Sequence, residues 1–119
     1  ILHAIIDGLL GAMRKKDIGT LYPSNKMKFK NIRSTNMLSP ILKILDKNGY
    51  IINNIDINLI CEKPKVSKYR NKIITSLSNL LKINKDQINL KGKTVEKLGL
   101  IGKENAIACE TIVSLNYYA

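Results

Sequence analysis

The stretch "YIINNIDINLIC", Tyr50 to Cys61, decides the fold class. Apolar and polar side chains alternate along it, so that Ile55, Ile57 and Leu59 fall on the same face as Cys61. A period of two residues is typical of a β-strand with one buried side. We therefore predict a strand here, and the fold class follows from the segments that flank it.

Three flanking segments carry apolar residues at helical spacing instead. They are "ILHAIIDGLLGAMRK" (1–15), "NMLSPILKILDKNG" (36–49) and "SKYRNKIITSLSNLLKI" (67–83). The residues expected to face the core are Leu2, Ile5, Ile6, Leu9, Leu10, Met13, Leu38, Ile41, Leu42, Leu45, Tyr69, Ile73, Leu77, Leu80 and Leu81. The second helix has Gly49 in its stop position. Its start is open, because Ser39-Pro40 is typical of a cap and first turn but the apolar pattern begins at Met37.

Two shorter segments complete the pattern. "DQINLKG" (86–92) and "AIACETIVSLNYY" (106–118) are predicted strands, and "LYPSNKMKFKNIRST" (21–35) is a predicted loop. Strands separated by helices of this length predict an α/β or α+β fold, with helices packed on one face of a mixed β-sheet. The 119 residues, 1–119, are expected to form a single domain. No apolar run approaches the roughly 20 residues that a membrane span needs.

The chain is strongly basic, with 20 Lys and Arg against 9 Asp and Glu and a formal net charge of +11. Such a charge suits polyanions: nucleic acid, an anionic membrane or phosphorylated small molecules. The alternative is a bias towards Lys, Asn and Ile, as in a protein encoded by an A+T-rich genome. Only Arg14, Arg33 and Arg70 are arginines, and no Trp is present to stack on bases. We favour the compositional bias over a dedicated nucleic-acid surface.

Cys61 and Cys109 are the only cysteines. Each lies in an apolar, strand-like run, which favours reduced, buried thiols over a disulfide. The chain has no Cys-x-x-Cys spacing that would indicate a thiolate zinc site.

His3 and Asp7 stand four residues apart on the first predicted helix and so share a face. A lone histidine on an apolar helix is more often a packed residue than a ligand, but a neighbouring carboxylate favours metal binding. These two residues cannot complete a zinc site, which takes at least three protein ligands.

Three further motifs lie where predicted elements end. "DIG" (17–19) follows the first helix, where a turn residue and a helix stop are the simple explanation. "CEKPK" (61–65) ends the first strand with two lysines at its tip, either as a solvated turn or as a ligand-binding edge. "KTVEKLGLIGKENAIACE" (93–110) places phosphate-binding side chains and two glycines between two strands.

In combination, these motifs resemble one family closely. "LHAIIDGLLGAMRKKDIGTLYP" (2–23), "CEKPK" and "KTVEKLGLIGKENAIACE" are similar, in sequence and in spacing, to 2-C-methyl-D-erythritol 2,4-cyclodiphosphate synthase of the non-mevalonate isoprenoid pathway. The similarity runs from Ile1 to about Leu115. It implies that the chain is a fragment that lacks the N-terminal strand region of the family.

The resemblance implies a homotrimer, with the sheets around a central axis and the active sites between neighbouring subunits. The implied substrate is 4-diphosphocytidyl-2-C-methyl-D-erythritol 2-phosphate, whose own 2-phosphate attacks the diphosphate and expels CMP. The enzyme's task is then to position a flexible polyanion and to neutralise the growing charge. Neither nucleic acid nor membrane is an implied partner.

The resemblance also assigns roles to residues. His3 matches the helix-borne zinc ligand, which Asp7 is expected to support; the two other ligands, an Asp-x-His pair, precede Ile1. Thr94 matches the hydroxyl that stabilises the transition state, and Glu96 matches a ligand of a second metal, magnesium or manganese. The substrate-binding positions are Asp17, Ile18 and Gly19 for the methylerythritol hydroxyls; Tyr22, Pro23, Ser24, Asn25 and Lys26 along the substrate; Cys61, Glu62, Lys63, Pro64, Lys65, Val66 and Ser67 for cytidine, from the neighbouring subunit; Lys93, Thr94, Val95 and Glu96 for the phosphates; and Leu100 and Lys103 as the last contacts.

Departures from the family pattern concern the same region. Lys93 and Val95 stand where the family has threonines, and Lys103 stands where an arginine is common. The alternatives are a basic α/β nucleic-acid-binding domain without catalysis, and a homologue that keeps the trimer but not the reaction. The pathway and the A+T-rich bias predict a plastid (apicoplast) enzyme, with a bacterial cytoplasm as the alternative location.

Overall fold

The strand predicted at Tyr50 to Cys61 is the middle of the sheet in the computed structural model, which describes residues 1–23, 33–63, 65–104 and 106–118. β1 (Tyr50–Ile60) lies between β2 (Ile88–Lys93), which is parallel to it, and β3 (Ala108–Tyr117), which is antiparallel. The sheet order is β2-β1-β3. The mixed sheet that the sequence predicts is therefore confirmed.

Helices cover one face of this sheet. They are α1 (Leu2–Ala12), α2 (Ile18–Leu21), α3 (Ser34–Lys47), α4 (Val66–Leu81) and α5 (Gly99–Gly102), with a 3-10 turn at Lys85–Gln87. α1 packs against β3, α4 against β2, and α3 against both α1 and β1. On β3, Val113 packs against the core, whereas Ile112 on the other face is 73% exposed. The arrangement confirms an α+β class.

The core joins the apolar stripes of three helices to the inner face of the sheet. Its largest fully buried side chains are Ile5, Ile6, Leu9, Leu10, Leu38, Ile41, Ile55 and Ile57. All of them belong to predicted core faces, and burying each contributes about 1.5–3 kcal/mol. The prediction is wrong at Tyr69, which is 37% exposed, because the buried face of α4 runs through Val66, Ile74, Leu77 and Leu81 instead.

An irregularity in β1 changes which residues face the core. Ile52 and Ile55 are both buried, although strict alternation would place residues three apart on opposite faces. The pairing with β3 shifts between Ile52 and Asn54, so one residue is absorbed and both isoleucines point inward. The simple alternation in the sequence did not predict this shift.

The start of α3 also differs from both predicted starts. The helix begins at Ser34, and Pro40 lies inside it. Proline in a helix interior removes a backbone hydrogen bond, which is why a start at Ser39-Pro40 was plausible. Burial of Met37 and Leu38 against the core outweighs that loss, so the helix continues through the proline.

The segment after α1 is more ordered than a simple stop and loop. Asp17 caps the short helix α2: its Oδ1 accepts hydrogen bonds from the Thr20 backbone N–H at 2.9 Å and from the Thr20 hydroxyl at 2.6 Å. The hydrogen bond from the Thr20 hydroxyl is the main cause of the lowered pKa of Asp17, and the bond from the Thr20 backbone N–H adds to it.

Across residues 1–23, 33–63, 65–104 and 106–118, every helix is too short or too polar to cross a bilayer.

Candidate active site

Two of the predicted motifs meet at one edge of the sheet. β1 and β2 run parallel, with Ile60 opposite Lys93, so both strands end on the same side. The Cys61 backbone N–H extends the pairing by donating to the Lys93 carbonyl oxygen at 3.0 Å. The chain that follows each strand lines a cavity of about 540 Å³. Ligands commonly bind at the carboxyl ends of strands in open sheets.

The lining includes most of the predicted cytidine and phosphate positions. These are Cys61, Glu62, Lys63, Lys65, Val66, Ser67, Lys93 and Thr94. Pro64 lies outside the described residues, as do Ser24, Asn25 and Lys26 of the predicted substrate loop. Five further polar or glycine residues line the cavity although the sequence assigned them no ligand contact: Arg70, Gly92, Lys97, Gly102 and Glu104. Lys97, Gly102 and Glu104 belong to the motif at 93–110, whereas nothing in the spacing of Arg70 and Gly92 would place them at the same cavity.

A larger groove lies elsewhere but carries less chemistry. It has a volume of about 730 Å³ and runs between α3, the start of β1 and the end of α4. Its walls are mainly apolar, with Leu38, Leu42, Ile52 and Leu80 among them, and no predicted site residue contributes. We place the functional site in the smaller cavity, because hydroxyl and ammonium groups converge there.

The turn after β2 has an unusual backbone. Glu96 and Lys97 have φ angles of 54° and 65°, in the left-handed region that residues with side chains seldom adopt. The Oε1 atom of Glu62 accepts hydrogen bonds from the backbone N–H groups of Val95 and Lys97, both at 3.0 Å. The Glu96 N–H lies 3.5 Å from the Thr94 hydroxyl oxygen. The turn is thus held by the side chain of Glu62, which lies on the segment after β1.

α5 holds the same turn from the other side. The buried Gly102 packs so close to Lys97 that a Cβ atom at position 102 would lie 2.0 Å from the Lys97 carbonyl carbon. No side chain fits at that distance, so a glycine is required. Leu100 and Lys103, predicted as substrate contacts, are both exposed on this helix and its C-cap and do not line the cavity.

The first turn of α4 also lines the cavity, beside the segment after β1 and the turn after β2. A Cβ atom on Gly92 would lie 2.6 Å from the Val66 Cβ atom, so α4 approaches β2 closely only because position 92 lacks a side chain. Arg70 then reaches over the edge strand, donating from Nε to the Leu90 carbonyl oxygen and from its terminal nitrogen to Asn89, both at 3.1 Å. These contacts fix α4 against the carboxyl end of β2.

The cavity carries positive charge at its rim. Lys63, Lys65, Lys93 and Lys97 all line it. Glu104 forms an exposed ion pair with Lys63 at 3.5 Å, which contributes little to stability. Four ammonium groups beside an exposed hydroxyl, Thr94, suit a ligand with several phosphate charges.

The second predicted group lies on α1 and α2. Asp7 accepts a hydrogen bond from the Ile18 backbone N–H at 2.7 Å, which ties α2 to α1. His3 is exposed on the first turn of α1. Tyr22 and Pro23, at the end of α2, are half-buried, with the Tyr22 hydroxyl 3.5 Å from the Met37 carbonyl oxygen. In the described part of the chain, neither the hydrogen bonds nor the cavity lining join His3 or Asp17 to the cavity.

Metal ligands are incomplete within the described residues. They contain no group of three His, Cys, Asp or Glu side chains that could hold an ion. His3 offers one exposed imidazole, while the carboxylate of Asp7 is engaged by Ile18. Glu96 is exposed at the tip of its turn. Each is a suitable ligand type, and each would need partners from elsewhere.

Comparisons with known proteins point to one family. A model described as the YgbB family matches residues 1–116. The "Bifunctional enzyme IspD/IspF" of Pelagibacter ubique is 53% identical over 115 residues, which are 97% of this chain and 31% of that protein. The "2-C-methyl-D-erythritol 2,4-cyclodiphosphate synthase, apicoplast" of Plasmodium falciparum is 46% identical over 109 residues, which are 92% of this chain and 45% of that protein. The chain therefore spans less than half the length of these two relatives.

A solved structure gives the same result at the level of the fold. The structure described as "IspF (Plasmodium falciparum) CDP complex" superposes with a TM-score of 0.89 at 41% sequence identity. The match covers 99% of this chain and 70% of that one.

Proposed function

This chain belongs to the YgbB family, and from that premise we propose that it converts 4-diphosphocytidyl-2-C-methyl-D-erythritol 2-phosphate to 2-C-methyl-D-erythritol 2,4-cyclodiphosphate with release of CMP. One observation carries the proposal: the cavity at the carboxyl ends of β1 and β2 joins the "CEKPK" motif to the Thr94 turn and is rimmed by lysines. A relative with the same fold binds CDP, which supports a cytidine nucleotide as the ligand. The relatives favour this reaction over the nucleic-acid-binding alternative.

The proposed reaction needs no nucleophile from the protein. An oxygen of the substrate's 2-phosphate attacks the phosphorus that bears the methylerythritol C4 oxygen. The bond from that phosphorus to the bridging oxygen breaks, and CMP leaves with the electron pair. The ring closes as a cyclic diphosphate. Catalysis of this kind consists of holding the attacking oxygen in line and stabilising the equatorial oxygens.

The residues of the cavity can perform both tasks. The lysines at the rim, Lys63, Lys65, Lys93 and Lys97, neutralise the phosphates and steer a polyanion into the site. Thr94 donates its hydroxyl to a phosphate oxygen as negative charge grows there. Val66 and Ser67 at the start of α4, with Cys61, form the wall that receives the cytidine.

The methylerythritol half requires a second group of residues. We propose that Asp17, Ile18 and Gly19 bind its hydroxyls and that they come from a neighbouring subunit of a homotrimer. The hydrogen bonds from Thr20 lower the pKa of Asp17, and its exposed carboxylate can accept bonds from hydroxyls. The location is proposed to be the apicoplast, or alternatively a bacterial cytoplasm; a relative named for the apicoplast and a bacterial relative both exist.

Two metals are part of the proposal. His3 would hold zinc together with ligands from outside the described residues, and Glu96 would hold magnesium or manganese. Their chemistry would be Lewis-acid stabilisation of phosphate oxygens. The exposed imidazole of His3 and the exposed carboxylate of Glu96 fit these metals by ligand type.

Zinc binding can be checked without activity. We expect the full-length protein to contain about one zinc per subunit, and the His3→Ala variant to lose it. The matched control is Asn79→Ala, on the exposed side of α4, which should keep the metal. Elemental analysis after dialysis gives the answer, and unchanged zinc in the His3 variant would refute the ligand assignment.

Thr94→Val tests the proposed catalytic hydroxyl, because it keeps the side-chain shape and removes the donor. We expect turnover in a CMP-release assay with zinc and magnesium to fall about 100-fold or more, a loss of about 3 kcal/mol, with the affinity for CDP nearly unchanged. Thr75→Val is the control, because the Thr75 hydroxyl donates to the Asn71 carbonyl oxygen within α4 and does not line the cavity. A Thr94 variant that turns over at nearly the parent rate would remove Thr94 from this role.

A further inference from the structure

Glu62 connects the two chain segments that line the cavity. It lies in the segment after β1, and its side chain bonds to the turn after β2. Its Oε1 atom accepts two backbone N–H groups, those of Val95 and Lys97, each at 3.0 Å. The two partners are 33 and 35 residues away along the chain. A carboxylate that takes two N–H donors with the same oxygen makes charge-assisted hydrogen bonds, which are about twice as strong as neutral ones.

The bonds are made to a backbone that needs support. Glu96 and Lys97 both have left-handed backbones, which residues with side chains adopt only at a cost in free energy. The Glu62 carboxylate satisfies the N–H groups immediately before and at the end of this strained pair. Without it, those N–H groups would turn to water and the pair could relax towards ordinary angles.

We propose that Glu62 is a positioning residue, which acts on the reaction by holding the Thr94–Lys97 turn rather than by touching the substrate. The inference rests on the proposed function. It differs from the assignment of Glu62 to the cytidine pocket, because one oxygen of its carboxylate is used by two hydrogen bonds inside the protein. Its effect on the reaction passes through Thr94 and Lys97, which the turn directs at the phosphates.

Two substitutions separate reach from charge. Glu62→Gln keeps the length of the side chain and an oxygen that accepts two N–H bonds, but it is neutral. Glu62→Asp keeps the charge but withdraws the oxygens by about 1.5 Å, one carbon–carbon bond. If Glu62 acts through the turn, the length of the side chain determines turnover and its charge matters less.

The glutamine variant should keep turnover within about five-fold of the parent, since its neutral bonds are weaker. The aspartate variant should lose about 100-fold, the usual cost of misplacing catalytic groups by about 1 Å.

Amide hydrogen exchange reports on the turn without any assay of activity. In the parent and in Glu62→Gln, the Val95 and Lys97 amides should be protected. In Glu62→Asp, both should exchange about ten times faster or more. The affinity for CDP should change little in either variant, because a positioning residue affects turnover more than ground-state binding. Asp86→Asn, at the opposite end of β2 from the cavity, is the control for the loss of one carboxylate.

Each outcome decides the matter. Slow turnover and fast exchange in the aspartate variant, with both restored in the glutamine variant, support the inference. Slow turnover in the glutamine variant with normal turnover in the aspartate variant would show that the charge of Glu62 matters. Loss of CDP affinity at constant turnover would show that Glu62 contacts the nucleotide. Either result overturns the inference. Unchanged exchange in Glu62→Asp, or fast exchange with parent turnover, also overturns it. If the parent protein released no CMP, the proposed function would fail, and the exchange data would still decide whether Glu62 holds the turn.

Discussion

At the scale of single residues, the candidate site depends on the backbone of Lys97, one of the two left-handed residues in the turn. Lys97 has a φ angle of 65°, and its backbone is enclosed by Glu62 on one side and Gly102 on the other. A β-carbon at position 102 would overlap the Lys97 carbonyl group, so a larger residue must displace the turn. The glycines of "KLGLIG" thus serve the turn through close packing at Gly102 and through a left-handed backbone, φ 66°, at Gly99.

Glycine-to-alanine substitutions at two helical positions should have opposite effects. Gly102→Ala should destabilise the protein by about 1–3 kcal/mol, the usual cost of overpacking, because Lys97 must move. Gly11→Ala, in α1, meets no atom within 4 Å and should stabilise it by about 0.5–1 kcal/mol. Thermal or denaturant unfolding at equal protein concentration checks both changes. Equal stability of the Gly102 variant and the parent would mean that the turn is not held as described.

At the scale of secondary-structure elements, parallel pairing assembles the cavity. The "CEKPK" and "KTVE" segments are separated by α4 in the chain, and they meet because β1 and β2 end on the same side. On the far face of the same two strands, Asp56 bonds to Lys91 at 3.0 Å and to Asn89 at 3.1 Å. The hydrogen bond from Lys91 is the main cause of the lowered pKa of Asp56. Polar cross-strand contacts therefore keep the register that aligns the two segments.

The other edge of the sheet is joined to α1 in a different way. The Thr111 hydroxyl donates to the Ala4 carbonyl oxygen at 2.7 Å, which attaches the helix that carries His3 to β3. At the opposite end of the sheet, Tyr50 and Tyr117 stack with their ring centroids 4.6 Å apart. Their hydroxyl oxygens lie 3.0 Å apart, and this hydrogen bond is the main cause of the raised pKa of Tyr50. The first contact therefore fixes β3 against α1, and the tyrosine pair fixes β3 against β1.

At the scale of the whole molecule, the face of the sheet opposite the helices is uncovered. Ile112 in β3 is 73% exposed there. Among the described residues, the Oδ1 atom of Asn58 in β1 is buried without a hydrogen-bond partner. The family resemblance implies a trimer with the sheets around a central axis, and a sheet face without covering helices is available for such an interface. The uncovered face is therefore the surface on which we expect the proposed trimer to form.

A charge on that face should prevent assembly. Ile112→Lys places an ammonium group on the proposed interface, so we expect the full-length variant to be a monomer, with one third of the parent's mass by light scattering. Asn79→Lys adds the same charge on the exposed side of α4 and should leave the trimer intact. CMP release should be lost with the trimer, because each site is proposed to draw on two subunits. A parent protein that is monomeric and active would rule out the split site.

The sequence by itself determined the type and order of the main elements and the motifs of the site. Periodicity is a local property, so apolar spacing predicted α1, α3, α4 and the three strands. The same spacing predicted the largest side chains that are fully buried in the structure. The motifs carried the family resemblance because their residues and spacing can be read directly from the chain.

Only the tertiary structure decided how those pieces meet. The bond from Glu62 to Lys97, the closeness of Gly102 to Lys97, and Arg70 and Glu104 in the cavity lining join residues far apart in the chain. The shift in β1 at Ile52, the passage of α3 through Pro40 and the outward position of Tyr69 were likewise missed. The first set was missed because contacts between distant residues cannot be read from local spacing, and the second set has a different physical reason. Local preferences of about 1 kcal/mol are outweighed by the burial of neighbouring apolar side chains, and that burial exists only once the elements have packed.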